Sequence, residues 1–172
     1  MDFAEWRRSA GTSQLLARAE ERVASLPVPD GELVFVHGDL WQGNTIWSGD
    51  SCSGMIDWDA AGAGSPGIDL GTLRFDVALF FGSSALESSE DSSGPGSSAA
   101  DEVLAGWQQA AGRQAEHVAY WDVAAALCPV SDMACCLPGD LVGELGRPDL
   151  NAAILGARRD TFLAAALDQF DS

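Results

Sequence analysis

Between Leu33 and Asp59 the chain alternates short β-prone runs with turn-forming residues. The runs are Leu33–Val36, Thr45–Trp47 and Gly54–Ile56, and Ser48-Gly49-Asp50-Ser51-Cys52-Ser53 separates the last two. This spacing predicts small strands, with the last two paired as an antiparallel hairpin. A hairpin folded about residues 50 and 51 sets Asn44 opposite Asp57. Directly opposed residues lie about 4.5 to 5.5 Å apart at Cα, near enough for two side chains to reach one ion. Asp39, in the loop after the first strand and five residues before Asn44, can project beside the same ion. The expectation is a small β-hairpin that brings two carboxylates and an amide to one point.

The flanks read as helices. Leu15, Leu16, Ala19 and Val23 recur at helical spacing until Leu26-Pro27-Val28-Pro29, where proline cannot continue the helix. Ser65 offers an N-cap and Pro66 a first helical residue, ahead of an apolar stripe of Leu70, Leu73, Val77 and Phe80. Residues 83–98 are polar and of low complexity, which predicts a mobile surface loop. Further helices are expected over about 99–111, 115–127 and 148–170, the last with Leu155, Phe162, Ala166 and Phe170 on one face beside Leu163 and Leu167. The segment Cys128 to Gly146 carries several breakers and predicts no element. The fold class is α+β, mainly helical, and 172 residues form one domain.

Charge excludes some partners. The chain has 26 acidic residues against nine basic ones, all arginine, for a net charge of −17. Nucleic acid and anionic membrane surfaces both need clustered positive charge, so neither is expected. Solubility is the commoner cause of such a balance, and it also suits a cationic ligand. Acids at Asp2 and Glu5 stand where a signal peptide needs basic residues, and apolar runs such as Val77 to Phe81 are far too short to span a bilayer. A cytoplasmic protein is expected. Cys52, Cys128, Cys135 and Cys136 show no zinc-ligand spacing and are too few for a disulfide framework.

One glycine pattern points elsewhere. Gly62-Ala63-Gly64-Ser65-Pro66-Gly67 fits GxGxxG between a strand and a helix, which suggests a dinucleotide site. A Rossmann unit must return into a second parallel strand, however, and the polar stretch after Gly82 supplies none. Pro66 also removes an amide that would face a pyrophosphate.

Taken singly, Asp39, Asn44 and Asp57 read as turn or surface residues. Together, His37-Gly38-Asp39 followed by Asn44, then Ile56-Asp57-Trp58-Asp59, resembles the signature of aminoglycoside phosphotransferases and their choline-kinase and fructosamine-kinase relatives. The resemblance implies the C-terminal lobe of a protein-kinase-like fold, which transfers phosphate from ATP to a hydroxyl of a small molecule. That reaction needs a carboxylate to orient the attacking hydroxyl and oxygen ligands for magnesium. By resemblance, Asp39 is the catalytic aspartate and Asn44 and Asp57 hold Mg2+. Asn44, Ile56 and Asp57 form the nucleotide–metal site, and Asp69 braces the catalytic loop. His37 reads as a structural histidine, His117 as surface, and Trp41, Trp47 and Trp58 as hydrophobic filling.

A complete kinase of this type also has a lobe with a glycine-rich loop and a strand lysine on the phosphates. The chain contains no lysine, and the roughly 36 residues before His37 read as a helix and a proline-rich connector. The nucleotide lobe is therefore expected to be missing from these 172 residues and to come from a partner or a longer chain. Two alternatives stand beside the phosphotransferase reading: a non-catalytic binding module of the same fold, and one half of a two-chain kinase.

Overall fold

Ser13 caps the first helix of the computed structural model, which describes residues 13–82, 98–128, 147 and 149–170. Its hydroxyl accepts from Leu16 N at 3.2 Å, and α1 runs Gln14–Ala24. The helices α2 (Gly67–Phe81), α3 (Ala99–Ala111), α4 (Val118–Leu127) and α5 (Ala152–Phe170) follow. Two small antiparallel sheets complete the described elements. Strand β1 (Val34–Val36) pairs with β4 (Gly62–Gly64), and β2 (Thr45–Ser48) pairs with β3 (Ser51–Met55). The α+β, mainly helical class is as expected.

Periodicity located the helices well and their ends less well. Leu16 and Ala19 of α1 are buried, with Leu15 and Val23 packed against the same core. Helix α4 begins at Val118 rather than near 115 because His117 holds a left-handed backbone, φ 54°. Helix α5 begins at Ala152, where Asn151 Oδ1 accepts from Ile154 N at 3.1 Å, not at 148. Ser98 belongs to the start of α3, forming a capping box with Asp101. The loop expected over 83–98 otherwise lies outside the described residues, as does most of Cys128 to Gly146 with Cys135 and Cys136.

Helix α2 departs from its expected stripe. Leu70 and Phe80 are buried, whereas Leu73 and Val77 are partly exposed, and Arg74, Phe75, Asp76 and Leu79 are buried instead. Helices α3, α4 and α5 all pack on α2, so it is enclosed on several sides and has no single apolar face. The core is built from Phe75, Leu79, Val123, Leu155, Leu163 and Leu167 with α1 laid against it. Helix α4 approaches α2 at Gly67 and Gly71, one turn apart, where a Cβ would run into Trp121. Gly67, the last glycine of the GxGxxG pattern, thus serves helix packing. Strand β4, which holds the other two, runs antiparallel to β1.

The hairpin is offset from its expected register. Its turn is Gly49-Asp50, with Ser48 opposite Ser51, so β3 starts three residues before Gly54. Trp47 faces Cys52 and Ile46 faces Gly54, leaving Ser53 as the extra residue of a bulge. Gly49 at φ 59° allows the two-residue turn, which composition had spread over six residues. Asn44 consequently aligns with Ile56, whose N donates to Asn44 O at 3.0 Å, rather than with Asp57.

Candidate active site

Strand β1 runs directly into the loop His37–Asn44, which ends in a 3-10 turn at Gln42–Asn44. The carboxylate of Asp69, in the first turn of α2, holds the start of this loop. His37 N donates to Asp69 Oδ2 at 2.7 Å and Gly38 N to Oδ1 at 2.8 Å. Gly38 sits at φ 81°, and a Cβ there would collide with the Ala60 carbonyl, so only glycine fits.

The His37 ring is buried and joins the loop to the hairpin. Asp39 N donates to Nδ1 at 3.4 Å, which makes Nδ1 the acceptor and leaves the proton on Nε2. Nε2–H then donates to Ile56 O at 2.8 Å. Trp58 lies against the ring, with centroids 4.5 Å apart, and stacks on Phe35 at 5.7 Å. Trp47 and Trp58 are 59% and 42% exposed, so the expected hydrophobic filling around the small strands is partial at Trp58 and slight at Trp47. The hairpin and the three-residue β4 are too small to enclose large rings.

Asp39 and Asn44 are brought together. The buried Asn44 donates from Nδ2 to Asp39 O at 2.9 Å and to Asp39 Oδ2 at 3.1 Å, while the Asp39 carboxylate is exposed. With the amide nitrogen committed to Asp39, Oδ1 is the atom Asn44 has left to offer a cation. Asp57 is exposed at φ 62°, a left-handed conformation that aspartate tolerates better than most residues. It forms no hydrogen bond with Asp39 or Asn44, and its neighbour Ile56 pairs with Asn44. Among the described residues no three His, Cys, Asp or Glu side chains cluster to hold a metal. The Asp39, Asn44 and Asp57 set contains only two carboxylates, but its oxygen donors are the hard type that magnesium takes.

One residue of the site was missed from sequence. Asp76, two helical turns after Asp69, is 5% exposed, and its Oδ2 accepts from Gln42 N at 3.0 Å. Burial pushes its pKa up to about 6, with the Gln42 hydrogen bond pulling partly back. Its signal was a charge inside an apolar helix at seven residues from Asp69, a spacing that keeps both on one face.

A family model described as the phosphotransferase enzyme family matches residues 2–127, well over half of the chain. No curated protein matches it. The matched span carries the His37–Asn44 loop, the hairpin, Asp57 and Asp69, and through it the chain belongs to the phosphotransferase enzyme family.

Proposed function

We propose that the chain is the catalytic portion of an ATP-dependent phosphotransferase that acts on a hydroxyl of a small molecule. The observation that carries this reading is the Asn44 amide donating to the exposed Asp39 carboxylate on a loop that Asp69 holds through two backbone amides. The Asn44 amide on Oδ2 orients the carboxylate and leaves Oδ1 to accept the proton of the substrate hydroxyl. His37, buried and committed through both ring nitrogens, keeps the loop against the hairpin and leaves the role of base to Asp39.

Asn44 Oδ1 and the Asp57 carboxylate would hold Mg2+, with Ile56 between the metal site and the nucleotide. Bound there, the ion supplies charge neutralisation on the ATP phosphates. The acidic balance favours substrates that carry an amine beside the hydroxyl, such as aminoglycosides or other amino-alcohols. The reading includes a cytoplasmic setting; among the described residues no helix is long and apolar enough to cross a membrane.

A second reading, one half of a two-chain kinase, is favoured by a specific pair of observations. The chain contains no lysine to contact phosphates, and Phe35 of β1, Ile46 of β2, and Ile56 and Trp58 just after β3 lie exposed. Both support a nucleotide lobe supplied by another segment or chain. Radiolabelled ATP with a panel of amino-alcohols tests this. The chain alone is expected to transfer little or nothing, and the chain joined to a nucleotide lobe of the same family to transfer the γ-phosphate. Robust turnover by the 172-residue chain alone would contradict the need for that lobe.

A further inference from the structure

The 3-10 turn Gln42–Asn44 carries Asn44, yet its own start lacks a local cap: Trp41 precedes it in extended conformation and makes no side-chain cap hydrogen bond. Two local hydrogen bonds close the turn. Asn44 N donates to Trp41 O at 3.0 Å, and Thr45 Oγ1 donates to Gln42 O at 2.7 Å. Gln42 N is one of the first amides that a helical turn cannot satisfy from within, and it meets Asp76.

A carboxylate is an expensive occupant for a buried position unless a donor holds it. Asp76 is buried on α2, and its hydrogen bond runs to the loop. Seven residues of helix separate it from Asp69, about 10 Å along one face. The two carboxylates therefore meet the loop at opposite ends, Asp69 at His37 and Gly38, Asp76 at Gln42.

We infer that Asp76 is a positioning residue, acting as a remote N-cap that sets the turn from which Asn44 projects. The inference rests on reading Asn44 as a cation ligand. Asp76 touches neither substrate nor metal; it acts through the Gln42 amide alone.

The test is Mn2+ binding to the full chain, followed by the electron paramagnetic resonance of free Mn2+, together with NMR hydrogen exchange of the Gln42 amide. In the wild type that amide is expected to be protected about a hundred-fold over the unfolded chain. Exchange at the unprotected rate would overturn the inference without any variant. Asp76→Ala is expected to weaken Mn2+ binding about ten-fold, the scale seen when an outer partner of a metal ligand is lost. Asp76→Asn keeps an acceptor oxygen and should stay within about two-fold of wild type, a rescue that loss of general packing would not give. Gln42→Pro deletes the donor where a proline can stand, since Trp41 at φ −141° and ψ 169° already has the conformation that precedes proline. In that background Asp76→Ala should change Mn2+ affinity by less than about two-fold, because the coupling it needs is already gone. An undiminished loss there, or an unchanged affinity in Asp76→Ala, would overturn the assignment. Asn44→Ala separates the two readings: if it leaves Mn2+ affinity intact, the cation role of Asn44 fails, while Gln42 protection still decides whether Asp76 caps the turn.

Discussion

Gly38 occupies a confined backbone position in the loop, at φ 81° with the Ala60 carbonyl where a side chain would begin. Gly38→Ala is expected to destabilise the chain by about 1–3 kcal/mol through strain and displacement of Ala60. A urea midpoint equal to that of wild type would contradict this. Asp76 gives a prediction with a defined pH window. Its pKa rises from 3.8 to about 6 on folding, so the native state holds a proton that the unfolded state has already released. Its contribution is fully present below about 3.8 and is lost as pH rises through about 6, which amounts to roughly 3 kcal/mol for about two pKa units. Asp76→Asn stays neutral throughout, so its melting temperature relative to wild type should rise between about pH 4 and pH 7 and then level off. A difference that stays constant from pH 4 to pH 8 would count against a buried, titrating Asp76.

The helices are tied together by polar contacts that periodicity does not reveal. Arg74 of α2 donates to Asp122 of α4 from Nε at 3.0 Å and from Nη2 at 2.9 Å, and its Nη1 donates to Ala100 O at the start of α3. Burial raises the Asp122 carboxyl above the ordinary range even against the pull of Arg74. Removing one partner of such a pair leaves the other charge buried, so Asp122→Ala should lower stability by about 3–5 kcal/mol in denaturant unfolding. A loss below about 1 kcal/mol would show the pair to be dispensable. At the far end of α2, Arg158 donates to Leu79 O and Phe80 O at 2.7 and 3.0 Å, and Arg147 also reaches Phe80 O, closing its last carbonyls. At this scale the legible features were those written in local spacing. The faces of α1 and α5 could be read because each packs on one side. The stripe of α2 could not, because three neighbours surround it. Strand β4 exists through its partner, since Gly-Ala-Gly has no strand preference, and the hairpin register depended on a bulge at Ser53 that alternation alone cannot locate.

Across the whole molecule, a charge of −17 acts as a distributed repulsion that a lysine-free surface does little to offset. Salt screens it, so the melting temperature should rise between about 20 and 500 mM NaCl as the Debye length shrinks from about 20 Å to about 4 Å. A fall over that range would show that attractive pairs outweigh the repulsion. The residues of the site were legible as a motif because loop chemistry needs particular side chains at fixed offsets: Asp39 and Asn44 do meet, and Asp69 does hold the loop's amides. Asp76 was not legible as part of it, because it lies outside the motif, and a charge inside an apolar helix does not by itself name the backbone amide, 34 residues away, that it meets. The central claim is that Asp39 is the base of a phosphotransferase site, and γ-phosphoryl transfer from ATP by the chain joined to a nucleotide lobe tests it most directly. The expected result is transfer to an amino-alcohol by the wild-type sequence and a loss of about 10²–10⁴-fold in Asp39→Ala, the contribution of a positioned general base. Wild-type transfer rates in Asp39→Ala would contradict it.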